Sequence, residues 1–204
     1  MRLSRAFSRT NGWGVGSHTV FTDTARLRRL RDCGLLDGAP SDSLDRLARA
    51  AAHHVRCERA QVSLVTADRR VVAGQAGPPL PHSFCRTVVD TGAPLLVSDA
   101  RTDDRVAGHP AVDDGVIAYA GFPIRSADGY PLGAFCVAND QPRDWEPRAL
   151  LLVEDLAAAA ETEIALRAEI SRLRHLAAAD LTTAERTALL STNMQPYAQP
   201  QVPQ

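Results

Sequence analysis

Ile117-Ala118-Tyr119-Ala120-Gly121-Phe122-Pro123-Ile124 and Leu132-Gly133-Ala134-Phe135-Cys136-Val137 flank the turn-forming run Ser126-Ala127-Asp128-Gly129. Two apolar runs joined by a short segment ending in Asp-Gly spell a β-hairpin. Side chains alternate along a strand, so Ala118, Ala120, Phe122 and Ile124 share one face and Tyr119, Gly121 and Pro123 the other. The first set is expected to meet helices. That leaves Tyr119 on the opposite face, over a small residue, Gly121, that would let a ligand approach the backbone. Tyr119 can equally cap the core with its hydroxyl on a loop carbonyl.

Working outward, Val62 and Leu64 alternate with Gln61 and Ser63, and after Asp68-Arg69-Arg70 comes a second short run, Val71 to Ala73. These read as another hairpin, and Leu95-Leu96-Val97 as a brief buried strand. Before them, Asp23 or Thr24 opens a short helix ending at Gly34. A second helix starts near Ser41 or Asp42 and carries Leu44, Leu47, Ala48, Ala51 and Val55 as an amphipathic stripe. Gly74 to Pro81 must be loop, and His82 to Thr91 forms a short helix that stops at Gly92. Ser98 to Gly115 is polar and turn-rich, the longest stretch without clear structure and a natural meeting place for ligands.

Beyond Asp144, an N-cap with Pro147 in the first turn, a helical pattern runs to Leu176. Leu152, Leu156, Ala159, Leu166, Ile170, Leu173 and Ala177 fall on heptad spacing interrupted by Glu163. The far half is therefore expected to project and pair with a second copy, giving a homodimer through helix 146–176. The domain plan is a flexible arm over residues 1–22, a folded domain over 23–167, a helical extension over 168–192 and a disordered tail over 193–204. Gly12, Gly14 and Gly16 follow no strand, so a phosphate-cradling loop is not the reading of the arm.

Composition sets the class. The chain has 204 residues, 45% apolar and 23% charged, with 23 basic against 24 acidic residues and a formal net charge of −1. That balance makes no case for nucleic acid or an anionic membrane. Every basic residue is Arg and none is Lys, which with the Ala-rich text suggests a GC-rich bacterial genome. No run approaches the roughly 18–20 apolar residues of a membrane span, and Met1 to Ser17 lacks a secretory apolar core, so a cytoplasmic setting is expected. Cys33, Cys57, Cys85 and Cys136 contain no Cys-x-x-Cys pair, which argues for reduced thiols and against a zinc ribbon.

The order of elements, together with Leu35-Leu36-Asp37, Val62-Ser63-Leu64-Val65 before Ala67-Asp68, His82-Ser83-Phe84-Cys85, Asp99-Ala100-Arg101 with Asp103-Asp104-Arg105, Tyr119-Ala120-Gly121-Phe122-Pro123 and Gly133-Ala134-Phe135-Cys136-Val137, resembles the GAF family of small-molecule sensor domains. The match runs from about Arg26 to Arg167. The resemblance implies an α+β fold: a central antiparallel sheet of five to six strands, helices on one face, a long C-terminal helix, and a pocket on the other face roofed by loops between residues 74 and 116. It implies a sensory role in bacterial signal transduction, toward a small ligand or redox state, with output through the terminal helices to a signalling partner. It names no cofactor.

On that frame the candidate ligand-binding residues are Tyr119, Gly121, His82, Phe84, Cys85, Asp99, Arg101, Asp104 and Cys136, with none assigned to catalysis or metal. His82 and Cys85, three apart on one helix, could make an activated thiolate. A resemblance to free methionine sulfoxide reductases, which are catalytic GAF domains, gives the enzyme alternative. Those enzymes set cysteines in the region that here reads Asp103 to Gly115, which holds none, and the sequence offers Cys85 no evident resolving partner. His82 and His109 lack a second ligand at zinc-type spacing, and a covalent chromophore is set aside. Arg101, Arg105 or Arg125 could fork onto an anion. Asp99 and Arg101 could instead stitch the loop to itself, which is the preferred reading. A third alternative is a ligand-free scaffold whose pocket is filled by its own side chains.

Overall fold

The computed structural model describes residues 19–38 and 41–192, with side chains up to residue 178. The expected tail, and the arm up to residue 18, lie outside the described residues. The last residues of that arm instead form a helical turn, α1 (Thr19–Thr22), whose Phe21 is buried. In α2 (Thr24–Asp32) the Asp23 carboxylate accepts the Arg26 backbone N–H at 2.8 Å, as an N-cap should. In α3 (Asp42–Val55) Leu44, Ala48, Ala51 and Val55 are buried, the stripe that the spacing predicts.

Strands β1 (Arg59–Val65) and β2 (Arg70–Ala76) pair antiparallel with a bulge at Val62/Ser63. Next come α4 (Cys85–Thr91), β3 (Leu95–Val97) and α5 (Pro110–Asp113), the last a turn of helix inside the stretch expected to be irregular. β4 (Ala118–Arg125) and β5 (Pro131–Asn139) form the hairpin around Ser126–Gly129, where Gly129 takes φ 88° and donates to the Ser126 carbonyl at 2.8 Å. The five strands lie in the order β2-β1-β5-β4-β3, and every pairing is antiparallel.

Strand alternation divides the interior into two cores. On one face Ala60, Val62, Leu64, Ala120, Phe122, Ile124, Phe135 and Val137 pack against α2, α3 and the final helix α6 (Pro147–Thr192). On the other, Val65, Leu95, Val97, Tyr119, Ala134, Cys136 and Ala138 pack against Phe21, α4 and the loops. Arg26 crosses to the end of the sheet, where its guanidinium donates to the carbonyls of Val65, Pro131 and Leu132 and is fully buried.

The last helix is longer than its heptad pattern. It continues past Leu176 to Thr192, because the segment after the heptads is rich in Ala and Leu and holds no Gly or Pro. Its root is fastened by Arg143, which donates to the Val55 and Arg56 carbonyls and lies over the Trp145 ring at 4.8 Å. Trp145 Nε1 donates to the Val97 carbonyl at 3.0 Å. Val153, Ala157, Ala160 and Ile164 face the core, whereas Leu166, Ile170, Leu173 and Leu176 are each about half exposed, between 47% and 56%.

Candidate functional site

Four side chains from three elements converge beneath the loops. Cys85 opens α4 and Cys136 lies mid-β5, with their Sγ atoms 3.8 Å apart. Ser83 Oγ is 2.9 Å from Cys85 Sγ, and the Tyr119 hydroxyl, brought over from β4, is 3.4 Å from it. Cys85, Cys136 and Tyr119 are all fully buried. The ring of Tyr119 lies across Gly121 so closely that a Cβ there would stand 2.5 Å from its hydroxyl. The space that the sequence reading gives to a ligand above Gly121 thus holds the tyrosine itself. Phe84, also fully buried, closes the layer with edge-to-face contacts to Tyr119 (5.2 Å) and His109 (5.0 Å).

The sequence reading sees no resolving partner for Cys85. The fold supplies one from 51 residues downstream, because β5 pairs with β4 in a register that sets Cys136 opposite Gly121, under α4. The expected His82–Cys85 pair, conversely, does not form. The helix starts at Cys85, so His82 lies in the preceding loop, outside the helical spacing that would join them. His82 turns instead to Asp114, with Nδ1 at 2.7 Å from the carboxylate and its backbone N–H donating to the same oxygen at 3.0 Å.

The electrostatics divide the thiols. A hydrogen bond with Cys136, aided by Ser83, Tyr119 and the charge of Arg70, holds the Cys85 thiol below its ordinary range against the opposing effect of burial. The same hydrogen bond, together with burial, drives Cys136 up. The hydrogen bond between the sulfurs thus favours proton loss from Cys85 over Cys136. Burial also keeps the Tyr119 hydroxyl protonated, and so a donor. Cys33 and Cys57 sit in the other core, where burial pushes the first thiol up and the second up to about 11. Burial lowers His109, whose Nδ1 accepts the Ala111 N–H at 3.1 Å, so its imidazole is neutral.

Sequence reasoning missed the polar rim. Gln61 and Ser63 point from β1 into the loop-side core, and Arg70 donates to both as well as to the Leu80 and Pro81 carbonyls. Their alternation with Val62 and Leu64 was the available signal. Arg70 had none, since it reads as a turn residue. Asp99, Arg101 and Asp104 do not join the Cys85, Cys136 and Tyr119 cluster. Asp99 takes a bidentate pair from Arg101 at 2.8 and 2.6 Å plus its backbone N–H at 3.1 Å, the local stitching expected, and Asp104 is exposed. Arg105 pairs with Asp103 in the same way, and Arg125 donates to the Gly92 carbonyl. Among the described residues no group of three or more His, Cys, Asp or Glu side chains is arranged to hold a metal, and no helix is long and apolar enough to cross a membrane.

Residues 39–164, from the start of α3 to the last core-facing residue of α6, match the family model described as GAF domain. The chain belongs to the GAF domain family. Among relatives of this GAF chain, a cyclic di-GMP phosphodiesterase of Pseudomonas aeruginosa is 28% identical over 117 residues, 54% of this chain but 20% of that protein. The chain thus spans about a fifth of the curated relative it matches. The fold is that of the GAF domain of an Acinetobacter phosphoenolpyruvate-protein phosphotransferase (TM-score 0.52, 17% identity, 72% of this chain and 98% of that one). It is equally that of a Synechocystis GAF domain in its photoproduct state (0.54, 13%, 65% and 97%). A free methionine-R-sulfoxide reductase of Neisseria meningitidis with its substrate matches at 0.50 and 18%, over 77% and 86%. At such identities these structures share the GAF architecture and no more.

Proposed function

We propose that this GAF domain is a regulatory module of bacterial signal transduction, in which the loop side of the sheet receives a small-molecule or redox input and α6, paired with a second copy, carries the output. The observation that carries the reading is the double use of α6. Val153, Ala157, Ala160 and Ile164 are spent on the domain core. The heptad positions Leu166, Ile170 and Leu173 stay about half exposed on the part that runs on beyond it. A self-complementary heptad face on a projecting helix matches a second copy of itself. Input and output are coupled through single strands. Tyr119 and Cys136 belong to the loop-side core, while their neighbours Ala120 and Val137 belong to the core that α6 helps to close.

A cytoplasmic setting goes with the reading. The test is sedimentation of the full chain: a dimer that becomes a monomer when Ile170 and Leu173 are changed to Asp supports it, and a monomeric parent protein sinks it. A metabolite that binds the loop side should raise the melting temperature, and Tyr119→Ala should abolish that rise. The juxtaposed Cys85 and Cys136 favour a second reading, a thiol-dependent reductase like the Neisseria enzyme. It requires methionine sulfoxide turnover with a dithiol reductant, lost in Cys85→Ser.

A further inference from the structure

We infer that Cys85 and Cys136 are a peroxide-oxidised dithiol site: hydrogen peroxide converts the pair into an intramolecular disulfide, and this bond is the redox input of the loop-side core. The inference rests on the regulatory reading above and gives it a specific chemistry.

The geometry comes first. The two sulfurs stand 3.8 Å apart, on α4 and on β5, with nothing between them. A disulfide needs them at about 2.05 Å, so a shift of under 2 Å between a short helix and the sheet suffices. The donors around Cys85 come next. Ser83, Tyr119 and the Cys136 thiol surround its sulfur, an arrangement that favours the thiolate, the form that attacks peroxides. Cys33 and Cys57 have no such surroundings. Cys33 Sγ approaches the Leu30 carbonyl at 2.8 Å, and both sit in the opposite core, where burial disfavours the thiolate.

The steps balance. The Cys85 thiolate attacks one oxygen of hydrogen peroxide, forming S–O as O–O breaks; the departing hydroxide takes up a proton and leaves as water. Cys136 sulfur then attacks the Cys85 sulfenic sulfur, forming S–S as S–O breaks, and the released hydroxide takes the Cys136 proton to leave as a second water. Two thiols lose two electrons and the peroxide gains them. A dithiol reductant reverses the bond by exchange.

Access is the remaining requirement, because both sulfurs are fully buried. The cover over the start of α4 is held by His82 on Asp114 and by Arg70 on the Leu80 and Pro81 carbonyls. The imidazole of the first tether is 56% exposed and its carboxylate 27%. Such a partly solvated latch permits local opening, and peroxide is scarcely larger than water.

The test uses the reduced full chain, exposed to hydrogen peroxide and then alkylated under denaturing conditions for peptide mass spectrometry. The expected product is a linked Cys85–Cys136 peptide lacking two hydrogens, with Cys33 and Cys57 still alkylated. Cys136→Ser should instead hold a sulfenic acid on Cys85, trapped by a cyclic dione. Tyr119→Phe, which keeps the ring, should slow bond formation several-fold and move its pH profile upward, and Asp114→Ala should speed it several-fold by releasing the latch. Thiols that survive peroxide in both the parent and Asp114→Ala overturn the inference, as does equal oxidation of Cys33 or Cys57, or a disulfide formed only between copies. The readout is covalent, so a monomer that forms the bond sinks the helix-pairing output alone, and a dimer that does not form it sinks the redox input alone.

Discussion

A single added methyl group tests how tightly the strands meet. Built onto Gly133, a Cβ would lie 1.9 Å from the Ser63 carbonyl oxygen, so β1 and β5 must part to admit it. Gly133→Ala should therefore lower stability by about 1–3 kcal/mol, measured by denaturant unfolding, with the denaturant slope unchanged. Tyr119 is the opposite case, a large group whose removal leaves a hole. Tyr119→Ala should cost about 3–5 kcal/mol, and Tyr119→Phe only about 1 kcal/mol, the worth of one hydroxyl interaction. That Tyr119 turns away from α2, α3 and α6 was legible from alternation alone. Its resting place over Gly121 was not, since a side chain's choice between lining a space and filling it depends on what descends from α4. The Cys136 partner was hidden for a related reason: its distance from Cys85 is set by strand register and helix placement together, neither of which a local window contains.

At the scale of elements, α2 is tied to the sheet by one residue. Arg26 supplies donors to the carbonyls of Val65, Pro131 and Leu132, and an apolar replacement would remove all three of those donations from the interior. Arg26→Leu should cost roughly 3 kcal/mol or more in denaturant unfolding, against a few tenths for the exposed Arg28→Leu. The helix α6 shows what periodicity does and does not reveal. Its heptad spacing singled out Leu166, Ile170 and Leu173, which the domain core leaves exposed. Past Leu176 the helix rests on helix-forming residues rather than on an apolar stripe. His82 marks the converse limit. A helix start moved by three residues, to Cys85, was enough to send its ring to Asp114 instead of to the thiol.

For the whole molecule, carboxylates on the loop side make stability depend on pH in a definite sense. The hydrogen bond from His82 holds the Asp114 carboxyl below the usual carboxylate range, and Arg101 and Arg105 do the same for Asp99 and Asp103. A depressed folded-state pKa contributes stability that is present above the unfolded value, near 4, and lost as pH falls through the folded one. The melting temperature should therefore drop as the solution is acidified below about pH 4, and Asp114→Asn should flatten part of that drop. The helix side has a different fastening, Trp145 donating to Val97 at the foot of α6. The chain has two tryptophans, and this one stands where the helix leaves the sheet, half-buried under a guanidinium. Swinging the helix outward would wet the indole and shift its emission to longer wavelength, so the protein carries at its own pivot a fluorophore able to time that motion, readable in a Trp13→Phe background without any attached dye.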